Sequence, residues 1–140
     1  MSDFNLKQST DFVINELAIV GKLNKYDVRE MFDEISIFDG LLTPCMSGNI
    51  LIRDSVGLSS QLLLDGSELL LIDIEKGGRQ FGFKRAFRIY KQSNRTNVNQ
   101  TSEKYLLHFV SDELVFSNQQ VINQFYEGTY SEIVVSILMN

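Results

Sequence analysis

The stretch from Phe32 to Leu70 sets the terms for the rest of the chain. An apolar segment (Phe32 to Phe38) gives way to a turn-rich break (Asp39 to Gly48). A short apolar strand (Asn49 to Arg53), a helix (Ser55 to Leu64) and a strand opening at Glu68 follow. Two strands joined through a loop and covered by a helix are the seed of a β-barrel or sandwich. Asp54 or Ser55 can cap the helix by accepting bonds from its free N–H groups. Leu58 and Leu62, four residues apart, share one face, and Gly66 suits the stop after the last turn.

The same strand period recurs along the chain. From Phe12 to Val20, Val13, Leu17 and Ile19 lie on one face and Phe12, Ile14, Ala18 and Val20 on the other. A strand apolar on both faces is covered twice or lies at a subunit contact. Gly21 to Lys25 reads as a turn. Within Val28 to Phe38, the β-branched Ile35 and Ile37 favour a strand with an irregular start. Leu70, Ile72 and Ile74 alternate with Leu71, Asp73 and Glu75. Phe87 and Ile89 alternate with Arg88 and Tyr90, and Tyr105, Leu107 and Phe109 share a side. Lys76-Gly77-Gly78 is a turn, and the polar run Gln92 to Thr101 reads as an extended hairpin tip. Ser111 opens a short helix with acids in its first turn. Val121 to Glu127 reads as extended. Thr129 and Glu132 form a capping box before Ile133, Val134, Ile137 and Leu138.

These segments predict a mainly β fold, a barrel with two or three short helices. The domain spans 12–140 behind a flexible arm at 1–11. At 140 residues with 44% hydrophobic content, one domain can bury a sizeable core. The lone Cys45 permits no internal disulfide. Met1 to Thr10 lacks the apolar core of a signal peptide. No apolar run approaches the ~20 residues of a membrane helix, so no membrane insertion is expected. The two sequons at Asn94 and Asn99 are then chance matches in a polar loop.

No catalytic constellation emerges. His108, the only histidine, sits in a strand without the acid and nucleophile of a triad or the further ligands of a zinc site. Cys45 has no adjacent positive charge to lower its pKa. Asp33, Glu34, Asp39 and Asp54 match no acid–base motif and read as a solvated strand face plus a helix cap. Gly77-Gly78 and Gly82 lack the Lys and Ser/Thr of a phosphate loop. Lys84, Arg85, Arg88, Lys91 and Arg95 cluster in one hairpin, but Phe83, Phe87 and Tyr90 interleave at strand period. The net charge of −5 also disfavours tight nucleic-acid binding. The expectation is a non-enzyme without cofactor or metal.

One ordered set of segments has a familiar look. Asp54-Ser-Val-Gly-Leu-Ser-Ser-Gln-Leu-Leu-Leu-Asp-Gly-Ser-Glu68 is followed by Phe87-Arg-Ile-Tyr-Lys-Gln-Ser-Asn-Arg95 and Tyr105-Leu-Leu-His-Phe-Val-Ser-Asp-Glu113. With Ile14-Asn-Glu-Leu-Ala-Ile19 and Phe38-Asp-Gly-Leu-Leu42, this order resembles the N-terminal part of the baseplate hub protein of contractile-tailed phages. The resemblance runs from about 12 to 138, and its motifs are structural rather than chemical. It implies a tail-tube-like barrel, the first part of a longer hub chain or a one-barrel relative. The implied role is a structural ring component around the genome-delivery channel, between tail tube and spike. Its partners would be itself or related hub subunits together with tail tube and spike proteins. Its place would be the virion, after assembly in the host cytoplasm. Asp54, Leu58, Leu62, Gly66 and Glu68 carry over as fold-defining positions. Val13, Leu17 and Ile19, from the doubly apolar strand, and Ile133 and Ile137, from a helix without a stop signal, are the candidate subunit interface. The alternative is a monomeric β-barrel ligand-binding module. Two carboxylates paired in a cleft would point instead to an acid hydrolase.

Overall fold

The structure, a computed structural model, describes residues 12–139 apart from 63, 77–80 and 122; at 81 it describes the backbone alone. The expected arm at 1–11 and most of the Lys76-Gly77-Gly78 turn lie outside the described residues. The chain is mainly β, with three short helices. Its elements are β1 (Val13–Val20), β2 (Lys25–Asp27), β3 (Phe32–Phe38), β4 (Ser47–Asp54), α1 (Leu58–Gln61), β5 (Leu69–Lys76), β6 (Phe81–Asn97), β7 (Glu103–Val110), α2 (Asp112–Gln119) and α3 (Tyr130–Leu138). The strands form one antiparallel sheet in the order β2-β1-β5-β6-β7-β4-β3.

That order forces the sheet to curl. β2 and β3 lie at opposite edges yet are joined by residues 28–31 alone. Fully extended, that link reaches ~18 Å, whereas a flat seven-stranded sheet is ~29 Å wide. The sheet therefore bends into a half-barrel. β2 and β3 run in the same direction, as one interrupted stave that leaves β1 for β4. The crossing is tied on both sides. Val28 N–H donates to the Leu17 carbonyl at 2.9 Å, and Arg53 N–H donates to the Met31 carbonyl at 2.6 Å. Val28 itself is fully buried.

Side chains fill the concave interior. Leu70 and Ile72 from β5, Phe87 and Ile89 from β6, Tyr105, Leu107 and Phe109 from β7, and Ile50 and Ile52 from β4 are all buried. Phe87 and Phe109 pack with ring centroids 4.9 Å apart. β1 departs from the expected faces. A bulge between Ile14 and Glu16 turns Ile14 to the same side as Leu17 and Ile19, and Asn15 bonds outside to Asp73 and Glu75. Leu17 and Ile19, expected at a subunit interface, are therefore core residues at 1% and 0% exposure.

Three further expectations shift. The helix expected over Ser55 to Leu64 contracts to Leu58–Gln61, because Gly57 has φ +75° and Leu62 is already extended. β2 falls partly in a stretch expected as a turn. The polar run Gln92 to Thr101 is strand as far as Asn97, and the turn is confined to residues 98–102. There the Asn99 side-chain oxygen accepts from the N–H groups of Thr101 (2.9 Å) and Ser102 (2.7 Å).

Beyond β7, Ser111 precedes α2 at its N-cap position. Its hydroxyl accepts the Met46 N–H instead of capping the helix. α3 starts with the expected capping box: the Glu132 carboxylate accepts from the backbone N–H of Thr129 at 2.9 Å. Neither α2 nor α3 has a buried residue. No described helix is long and apolar enough to cross a membrane.

Candidate functional site

A dense polar cluster lies at the barrel rim closed by α1. β4 ends at Asp54, which pairs with Glu103 at the start of β7. The turn after β4 brings its own N–H groups back over the Asp54 carboxylate. Val56 donates to it at 3.0 Å and Ser59 at 2.8 Å, and the Tyr105 hydroxyl adds a bond at 3.3 Å. Glu103 takes two bonds from Arg95, at 2.9 and 3.0 Å, and one from the Ser59 hydroxyl at 3.3 Å. The hairpin tip overhangs the cluster and leaves an open cleft of about 360 Å³ lined by polar residues and glycine.

The electrostatics follow from this geometry. Burial disfavours the charge on Asp54, but the N–H groups of Ser59, Leu58, Val56 and Gly57 outweigh it and hold the carboxyl below its ordinary value. Burial first, then the Asp54 charge, raises the pKa of the Tyr105 hydroxyl, so it stays protonated and donates. Two carboxylates thus stand side by side, as an acid–base pair would. Each is occupied by donors that hold the turn. Chemically the cluster is a clamp: it pins α1, and Leu58 of α1 (1% exposed) with Leu62 just after it (7% exposed) plugs the barrel end.

The resemblance-derived positions gather around this plug. Asp54 caps the turn and Leu58 and Leu62 enter the core. Gly66 takes φ +91°, and the buried Glu68 accepts the Gly66 N–H at 3.1 Å. The remaining carboxylates do not converge on the rim. Asp33 bonds Lys104 at 2.6 Å and Arg53 at 3.1 Å on the outer face, while Glu34 and Asp39 are exposed. Among the expected interface residues, Val13 and Ile133 are half-buried and Ile137 is 51% exposed.

The hairpin cations are mostly neutralised. Lys84 meets Asp73 (3.2 Å), Arg85 meets Glu113 (3.9 Å), Arg88 meets Asp112 (3.0 Å) and Arg95 meets Glu103. Cys45 is a half-buried free thiol in the loop before β4. Among the described residues, no group of three or more His, Cys, Asp or Glu is placed to hold a metal ion.

One pairing escaped the sequence. His108 Nε2 lies 2.7 Å from the Ser93 hydroxyl on the outer face. The register shift between Ile89 and Lys91 puts Lys91 opposite His108 and Ser93 on the same face two residues on, and strict alternation cannot show it. No carboxylate bonds this imidazole among the described residues, so the pair lacks the third member of a triad. Compared with known proteins, the chain matches no family model, no curated protein and no solved structure.

Proposed function

We propose that this chain is a structural subunit of a phage tail baseplate hub, forming part of a ring around the genome-delivery channel between tail tube and spike. The observation that carries this reading is α3. It stands outside the barrel with no buried residue, leaving Val134, Ile137 and Leu138 between 51% and 79% exposed. An apolar helix stripe in water calls for a partner. The rim cluster is consistent with a structural role, since Asp54 and Glu103 are bonded by donors from the turn, α1 and Arg95, although both also line the cleft. In this reading the partners are further hub subunits and the tail tube and spike proteins, and the place is the virion. The ligand-binding alternative has no observation of its own, because Tyr105, Phe87 and Phe109 occupy the barrel interior.

Light scattering across a concentration series, followed by electron microscopy of the largest species, tests the reading. Closed rings are expected at high concentration. Ile137→Lys should reduce association while leaving the thermal melt of the barrel unchanged. A strictly monomeric chain at every concentration overturns the proposal.

A further inference from the structure

The two long edges of the half-barrel are treated differently. On β1, the Leu17 carbonyl is taken by Val28 N–H, and the Arg29 guanidinium reaches over to the Asn15 carbonyl at 3.3 Å. On β3, the backbone groups of Glu34 to Phe38 that point away from β4 have no partner among the described residues. Ile35 and Ile37 face the core but stay half-exposed, unlike Leu17 and Ile19 near the closed crossing. Side chains from one more strand would cover them.

We infer that the outer edge of β3 is a strand-addition site for an extended segment of another chain that alternates apolar and basic residues. An unpaired edge supplies main-chain hydrogen bonds, and alternate side chains of the incoming strand supply specificity. Charge selects the occupant. Glu34 and Asp39 flank the edge and have no cationic partner among the described residues, whereas Asp33 beside them is already paired with Lys104 and Arg53. Lysine or arginine on the outward side of the incoming strand would answer these acids. A second copy is disfavoured, because antiparallel β3–β3 pairing brings Glu34 and Asp39 of the two chains together and like charges on adjacent strands repel. The inference stands apart from the ring reading, since it uses neither α3 nor any hub partner.

The test uses the full chain, isotopically labelled, and two synthetic nine-residue peptides. One alternates Val and Ile with Lys and Thr; the other carries Glu in place of Lys. Addition of the lysine peptide is expected to slow exchange of the β3 amides that point away from β4. The glutamate peptide should bind about tenfold more weakly, since each cross-strand charge pair is worth up to roughly fivefold. Glu34→Lys with Asp39→Lys, both exposed, should reverse the preference, with an unchanged melt as the control for folding. Three results overturn the inference: equal binding of both peptides, no protection in β3, or outer β3 amides already protected in the free chain. The last would mean that the edge is filled by this chain or by a second copy of it.

Discussion

Gly48 occupies a point on β4 where a side chain has no room. A Cβ there would lie 2.2 Å from the Ser36 carbonyl oxygen and 2.5 Å from the Phe109 ring. Gly48→Ala is expected to destabilise the fold by about 1–3 kcal/mol, the range for overpacking a filled core. Gly82→Ala, with open space around it, should melt with the parent, and paired thermal melts read the difference. Asp54 gives a pH signature. Its folded pKa lies below the ordinary 3.8, so its stabilisation is fully present above that value and is lost as pH falls through the folded one. Asp54→Asn cannot titrate. It should lower stability at pH 7 by about 1–3 kcal/mol, by weakening bonds to the part-buried N–H groups of the turn and to the buried Tyr105 hydroxyl, and should flatten the acid limb of the stability curve. Denaturant melts between pH 7 and pH 3 check both effects. At this scale the sequence was legible wherever alternation runs unbroken, as at Leu70 and Ile72 or Tyr105, Leu107 and Phe109. It misled where one extra residue shifts the phase, at Asn15 in β1 and ahead of Ser93 in β6.

α1 shows how little helix is needed to close an end of the barrel. Four residues and the one that follows suffice, because Asp54 holds the entry and Leu58 and Leu62 enter the core. Leu62→Asp removes an apolar contact worth about 2–5 kcal/mol and adds the desolvation of an unpaired carboxylate. It is therefore expected to abolish cooperative unfolding, and a calorimetric trace matching the parent would contradict the plug. The site of the plug was readable from its cap and leucine spacing. Its length was not, because a glycine such as Gly57 fits either a helix interior or a left-handed turn, and nothing in the sequence marks Leu62 as extended. β2 was hidden for a different reason. Three residues, Lys25-Tyr26-Asp27, carry no period, and they become a strand because Ala18 to Val20 lie opposite. The capping box at Thr129 was visible because both of its partners lie within four residues, so no tertiary context intervenes.

For the molecule as a whole, charge is arranged by local neutralisation. Four of the five cations clustered on β6 face acids from β5, α2 or β7. With a net charge of −5, the chain offers DNA few unpaired cations with which to displace counterions. Fluorescence anisotropy with a labelled duplex at physiological salt should show no saturable binding. The mainly β class was legible because the strand period is written into most of the core strands. Closure was not, since it depends on a stave changing neighbours across residues 28–31 with no special residue to announce it. That arrangement also dictates an order of events. The first half of the chain can form its β1–β2 and β3–β4 hairpins early. β4 acquires its second neighbour only when Glu103–Val110 arrives, some 56 residues later in register (Asp54 opposite Glu103, Ser47 opposite Val110). During translation, β4 would therefore emerge with one edge bare and wait for almost the whole sheet to be made. The final step is a long loop closure, which places folding on the slow, millisecond-to-second side of small domains.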